Sequence, residues 1–122
     1  MGYILVVDDD EDICDVIELV LTDEGYEVVC ARNGGHALRA LQERPPALVL
    51  FDLLMPDQAG ADFIIACRRV PNGDAPMIVV SGFPGLDQVA AQIGADGFLA
   101  KPFDLTVLLD TVQAALATRD VV

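Results

Sequence analysis

Five short apolar runs, each followed by a stretch of helical period, constrain this chain more than any other feature. The runs cover residues 4–7, 27–31, 47–51, 77–80 and 97–100. They show little apolar/polar alternation, which is the pattern of strands buried on both faces. Helices are expected at 11–24, 35–43, 60–69, 86–93 and 105–117. The first would carry Ile13, Val16, Ile17, Val20 and Leu21 on one face, and the last Leu105, Leu108, Leu109, Val112 and Leu116. Gly25 and Gly94 stand where left-handed helix ends are expected. Asn33-Gly34, Pro45-Pro46 and Pro71-Asn72-Gly73 read as loops. A helix after every strand implies a parallel sheet covered on both sides. Five such units fill residues 1–122 without a linker, so the expectation is one doubly wound α/β domain with strand order 2-1-3-4-5.

In open α/β sheets, ligands bind beyond the carboxyl ends of the strands, where strand order reverses. What leaves those ends is therefore informative. The first strand runs straight into Asp8, Asp9, Asp10, Glu11 and Asp12. A helix N-terminus accounts for the last three through its macrodipole, but not for Asp8 and Asp9. The third run delivers Asp52, the fourth Ser81 and the fifth Lys101, while the second offers only Arg32 and Asn33. In the expected order, strands one and three are neighbours, so Asp8, Asp9 and Asp52 would share a pocket facing Ser81 and Lys101. Each close carboxylate pair repels by about 4 kcal/mol at ~4 Å with an effective dielectric near 20. Such a group must take up protons or gain cations. An all-oxygen donor set suits Mg²⁺. An aspartate nucleophile, a divalent cation, a lysine and a hydroxyl are the parts that phosphoryl transfer to a carboxylate requires.

Composition narrows the field. Twenty acidic residues against seven basic ones give a net charge of −13, which opposes direct binding to nucleic acid or to anionic membranes. Lys101 is the only lysine. No apolar run approaches the roughly 18 residues of a membrane span, and the first residues do not read as a signal peptide. Cys14, Cys30 and Cys67 lie among apolar residues and read as reduced thiols of a cytoplasmic protein. His36 reads as a surface residue, and Asp57, beyond Pro56, as a turn residue rather than a ligand.

The chain resembles a response-regulator receiver domain of two-component signalling over nearly its whole length. The motifs that carry the resemblance are "VVDD", "LVLFDLLMPDQAG" around Asp52, "VVSG" ending on Ser81-Gly82, and "GFLAKPF" around Lys101. The resemblance implies that Asp52 accepts a phosphoryl group from a histidine on a sensor kinase or a phosphotransfer protein. Asp8 and Asp9 would hold Mg²⁺ together with Asp52 and the backbone carbonyl of Leu54, and Ser81 and Lys101 would hold phosphoryl oxygens. Phe98 matches the aromatic switch position, although core packing explains it equally well. Leu54 and Phe83 would border the path of hydrolytic water, and Lys101-Pro102 matches a bond that is often cis in the family. The domain would be a signalling module rather than an enzyme, read by a downstream protein or by an output domain of a longer chain.

Three rivals share parts of this pattern. An aspartyl-nucleophile phosphatase of the haloacid-dehalogenase type wants Asp-x-Asp after its first strand, which Asp8-Asp9-Asp10 superficially supplies. Its usual threonine falls on Asp12, and its late acidic pair is missing. A flavin binder of the flavodoxin-like fold wants Ser, Thr and Gly in its first loop, where five acids stand here. A degenerate receiver that only docks would not need all five site positions filled.

Overall fold

The computed structural model describes residues 2–71 and 73–120; Asn72, in the expected loop, lies outside the described residues. Five strands and five helices alternate: β1 (Ile4–Val7), α1 (Glu11–Asp23), β2 (Val28–Ala31), α2 (Gly34–Glu43), β3 (Leu48–Asp52), α3 (Gly60–Arg69), β4 (Met77–Ser81), α4 (Leu86–Ile93), β5 (Gly97–Ala100) and α5 (Leu105–Asp120). The sheet is parallel throughout, in the order β2-β1-β3-β4-β5. This is the expected doubly wound, flavodoxin-like arrangement.

Period-two alternation along each strand divides the core into two layers. Leu5, Val7, Val49, Phe51, Met77 and Val79 face α2, α3 and α4, where they meet Ala37, Leu41, Phe63, Ile64, Leu86 and Ala90. Phe51 and Phe63 pack ring against ring, with centroids 5.6 Å apart. Ile4, Val6, Leu48, Leu50, Ile78, Val80 and Leu99 face α1 and α5, meeting Cys14, Ile17, Leu21, Leu108 and Val112. The residues of β1 and β4 are buried throughout, and so is β3 as far as Phe51.

Several expected details shift. The buried stripe of α1 is Cys14, Ile17 and Leu21, and Val16 is exposed; on α5, Leu105 is exposed. Val16 lies about 130° round the helix from the centre of its buried stripe, whereas Leu105 falls on its stripe but is the first residue of α5. The strands at the sheet's edges are covered less well than the inner three, so Phe98 on β5 is 46% exposed and belongs to neither core layer. Core packing is therefore not what Phe98 does. The third and fourth strands each run one residue further than expected, because Asp52 pairs with Val80 and Ser81 with Ala100. Gly25 and Gly94 adopt φ of 93° and 83° at the ends of α1 and α4, as expected.

Leu50 is 1% exposed and sits in a strand flanked on both sides. Its replacement by alanine should cost about 2–5 kcal/mol, read as a lower urea midpoint at unchanged slope. The same change at Leu19, which is 73% exposed, should cost less than about 0.5 kcal/mol.

Candidate functional site

The carboxyl ends of β1, β3, β4 and β5 converge as the strand order requires. Asp8 follows β1, with its backbone N–H donating to Ala31 O at 3.0 Å, and its side chain is almost fully buried. Asp8 Oδ1 accepts from Asp10 N at 2.9 Å, and its carbonyl accepts from the Cys14 thiol at 3.4 Å. Asp10 is the N-cap of α1 and accepts from the N–H groups of Asp12 and Ile13. Asp9 stands between them, exposed. One carboxylate oxygen from each of Asp8, Asp9 and Asp52 lies within 4.8 Å of the others. Asp10, Glu11 and Asp12 are outside this cluster, as the helix-terminus argument anticipated.

Lys101 reaches the acids from the far side. The β4–β5 ladder continues one step past Ala100, through Lys101 N donating to Ser81 O at 2.9 Å, which fixes the residue's backbone. The Lys101-Pro102 bond is cis. The ammonium donates to Asp8 Oδ2 at 2.8 Å and to Asp52 Oδ2 at 3.4 Å. Burial opposes its charge, but the bond to Asp8 and the charges of Asp52 and Asp8 outweigh burial and raise its pKa. Burial likewise pushes the Asp52 carboxyl above its ordinary value; Lys101 pulls it back and Asp8 pushes it up again. One ammonium against three carboxylates leaves two negative charges, the amount that a divalent cation neutralises. The oxygen-only donors lie close to the span of an octahedral Mg²⁺ shell, roughly twice a 2.1 Å bond. This acidic cluster could hold a metal ion.

Ser81 is buried at the end of β4, and its Oγ accepts from Phe83 N at 3.1 Å. Among the described residues, no hydrogen bond joins the Ser81 hydroxyl to Asp52 or to the Lys101 ammonium. Leu54 N donates to Asp52 Oδ1 at 3.3 Å, and the Leu54 side chain is 72% exposed, as Phe83 is at 51%. Both stand on loops that follow site strands. A cavity of about 590 Å³, lined by Arg68, Pro76, Ile78, Asp96, Phe98 and Ala115, lies apart from this site and includes none of Asp8, Asp9 and Asp52.

Two contributors were not legible in the sequence. The Cys14 thiol supports the Asp8 carbonyl, and Cys30 in turn donates to Cys14 O at 3.8 Å. Asp57 does more than turn the chain, since its carboxylate accepts from Gly34 N at 2.9 Å and Gly35 N at 3.0 Å. The only local hint was an Asn-Gly-Gly that could begin a helix. His36 is exposed, and the three cysteines are free thiols, with Cys14 and Cys67 buried and Cys30 partly so.

Comparison with known proteins agrees with this geometry. Residues 4–113 match the family described as the response regulator receiver domain. The chain belongs to that family, the receiver domains of two-component response regulators. The transcriptional regulatory protein KdpE of Mycobacterium tuberculosis is 38% identical over 118 residues, covering 95% of this chain and 51% of KdpE. The chain thus spans about half the length of the curated relatives it matches. The chemotaxis response regulator CheY4 of Vibrio cholerae matches with a TM-score of 0.86 at 33% identity, over 95% of this chain and 99% of that one. The receiver domain of NtrX from Brucella abortus matches with a TM-score of 0.86 at 32% identity, over 94% and 98% of the two chains. No helix among the described residues is long and apolar enough to cross a membrane.

The raised pKa of Asp52 sets a pH dependence. Because the folded state holds this proton more tightly than the unfolded chain, stability falls as pH rises from the ordinary value of 3.8 through the higher folded value. Asp52→Asn cannot ionise. In metal-free buffer near neutral pH it should therefore be more stable than the wild type, and the advantage should vanish below about pH 4. Urea unfolding of both proteins across that range checks the sign.

Proposed function

We propose that residues 1–122 act as one phosphoacceptor unit, taking a phosphoryl group onto Asp52 from a histidine of a sensor kinase or histidine phosphotransfer protein. The observation that carries this reading is the meeting of Asp8, Asp9 and Asp52 with the chain's only lysine at the open end of a receiver fold. Asp8, Asp9, Asp52 and the Leu54 carbonyl would hold Mg²⁺, which supplies charge neutralisation for the phosphoryl oxygens when bound. A carboxylate oxygen of Asp52 attacks phosphorus in line with the leaving imidazole nitrogen, and the transferred group carries its charge on three equatorial oxygens. Lys101, kept protonated by its acidic neighbours, offers an ammonium to one of them. Ser81 uses its oxygen to accept from Phe83 N, which leaves its hydroxyl proton available to another phosphoryl oxygen. A Ser81 drawn toward the phosphoryl group would loosen the bond to Phe83 and so alter the loop after β4. Phe98, exposed on β5, would turn inward in response, and that is the switch we assign.

Membership of the receiver family favours this reading over steady phosphomonoester hydrolysis. All five site positions are filled, which favours phosphotransfer over mere docking. The phosphorylated unit would be read by a separate protein or by an output domain. Net charge argues against direct contact with nucleic acid, and the free thiols suit the cytoplasm.

Acetyl phosphate with Mg²⁺ should add one base-labile phosphoryl group at Asp52 without a kinase, since the protein supplies the aligned site. Asp52→Asn should remain unmodified and Asp9→Ala should lose labelling. A label found by mass spectrometry on Asp10 or Asp57 would overturn the assignment.

The phosphorylated form should also be long-lived. Leu54 and Phe83, both apolar and exposed, flank the line along which water must approach, and neither side chain offers it a hydrogen bond. Leu54→Asn combined with Phe83→Glu should shorten the lifetime by about tenfold, equivalent to about 1.4 kcal/mol of barrier. Phosphate release from the pair and from each single variant, compared with wild type, measures how much each contributes.

A further inference from the structure

The segment from Leu53 to Ala59 carries the Leu54 carbonyl and closes largely on itself. Gly60 N donates to Leu53 O at 2.9 Å, Gln58 N to Met55 O at 3.4 Å, and Leu54 forms an isolated bridge with Ala59. Leu53, Met55 and Asp57 tie it to the rest of the molecule, Leu53 by packing partly buried against the same core layer as Met55. Met55 is buried in the layer beneath α2, α3 and α4. Asp57, on the other side of Pro56, accepts from the first two backbone N–H groups of α2. Among the described residues, these are the only hydrogen bonds from residues 53–59 to an element other than the flanking β3 and α3.

We propose that Asp57 is a positioning residue, which clamps the loop after β3 to the N-terminus of α2 and so holds the Leu54 carbonyl at the metal pocket. The proposal deepens the phosphoacceptor reading and rests on it. The clamp is well made. Its two donors are adjacent amides at a helix N-terminus, where the macrodipole favours a carboxylate, and they hold the Asp57 carboxyl below its usual range. Gly34 permits the close approach: a Cβ there would stand 2.5 Å from Gln58 Oε1 and 3.3 Å from Asp57 Oδ1. The helix does not need Asp57 as its side-chain cap, because Asn33 Oδ1 already accepts from His36 N at 2.8 Å. Asp57 is thus a second acceptor at this helix end, and it is the one that belongs to the loop.

If the loop samples other positions once released, the apparent Mg²⁺ affinity falls in proportion to the population that remains competent. Coupling is reciprocal, so Mg²⁺ must in turn steady the Gly34 and Gly35 amides. The chain has no tryptophan, so Mg²⁺ titrations followed by NMR of the 122-residue protein are suitable, with thermal melts alongside. Asp57→Ala should weaken Mg²⁺ about fivefold or more, and Asp57→Asn, which keeps one acceptor oxygen, should weaken it less. Asn33→Ala, which removes the cap of the same helix without touching the loop, should lower the melting temperature and leave Mg²⁺ affinity unchanged. In the wild type, saturating Mg²⁺ should slow hydrogen exchange at Gly34 and Gly35, and Asp57→Ala should abolish that effect.

Wild-type affinity in Asp57→Ala, with only the melting temperature reduced, would make Asp57 a helix cap and overturn the clamp alone. Absence of Mg²⁺ binding in the wild type would overturn the metal-site reading and the clamp with it.

Discussion

A carboxylate sealed beneath a hydrophobic core is the constraint on which the rest of this structure depends. Asp8 is 2% exposed and follows four buried apolar residues. An ion so placed must be paired or hydrogen-bonded, and removing the partner of a buried pair costs about 3–5 kcal/mol. The partner is Lys101, which lies 93 positions away in sequence. The Asp10 amide completes the set by donating to Asp8 Oδ1, while the Cys14 thiol holds the backbone carbonyl of the same residue. The fold must therefore bring the end of β5 to the end of β1 before Asp8 can be charged at low cost. The two edge strands, β2 and β5, are each paired on one side only and tolerate partial exposure, whereas the three inner strands are buried almost throughout and carry or lead into Asp8, Asp9 and Asp52.

The same arrangement makes the site costly when it stands alone. Lys101 is shared between Asp8 and Asp52, and the longer of its two bonds goes to Asp52. Burial then lifts the Asp52 carboxyl above its ordinary value. An excess of negative charge around a largely buried carboxylate is poor for stability and good for attracting a divalent cation. Leu54 and Phe83 are exposed beside this site and belong to neither core layer.

Much of this was legible from residue order. Runs such as Ile4–Val7 and Met77–Val80 have no polar face, so they must lie in the interior of a parallel sheet. A parallel sheet in the expected order brings Asp8, Asp9 and Asp52 together from two adjacent strand ends. Boundaries were less legible. Asp52 and Ser81 are the last paired residues of their strands, not the first residues beyond them, because each finds a partner on the neighbouring strand that the local sequence does not mention. Val16 and Leu105 matched an apolar helical period and yet are exposed, since periodicity does not tell the edge of a stripe from its centre or the first residue of a helix from its middle.

What the sequence determined by itself was the layered α/β architecture and the set of acids, hydroxyl and ammonium at the strand ends, since period and strand-end chemistry are local properties. Only tertiary structure decided how those groups are shared. Lys101 bonds Asp8 more closely than Asp52, Ser81 is engaged with Phe83, and Phe98 turns outward on an edge strand. It also decided that Asp57, indistinguishable in sequence from any turn acid, spans to the amides of α2, and that Cys14 supports the Asp8 carbonyl. Each of these depends on a distance between elements that pack on opposite sides of a loop or sheet. Such distances are set by the volume of the side chains between them, which no local pattern encodes.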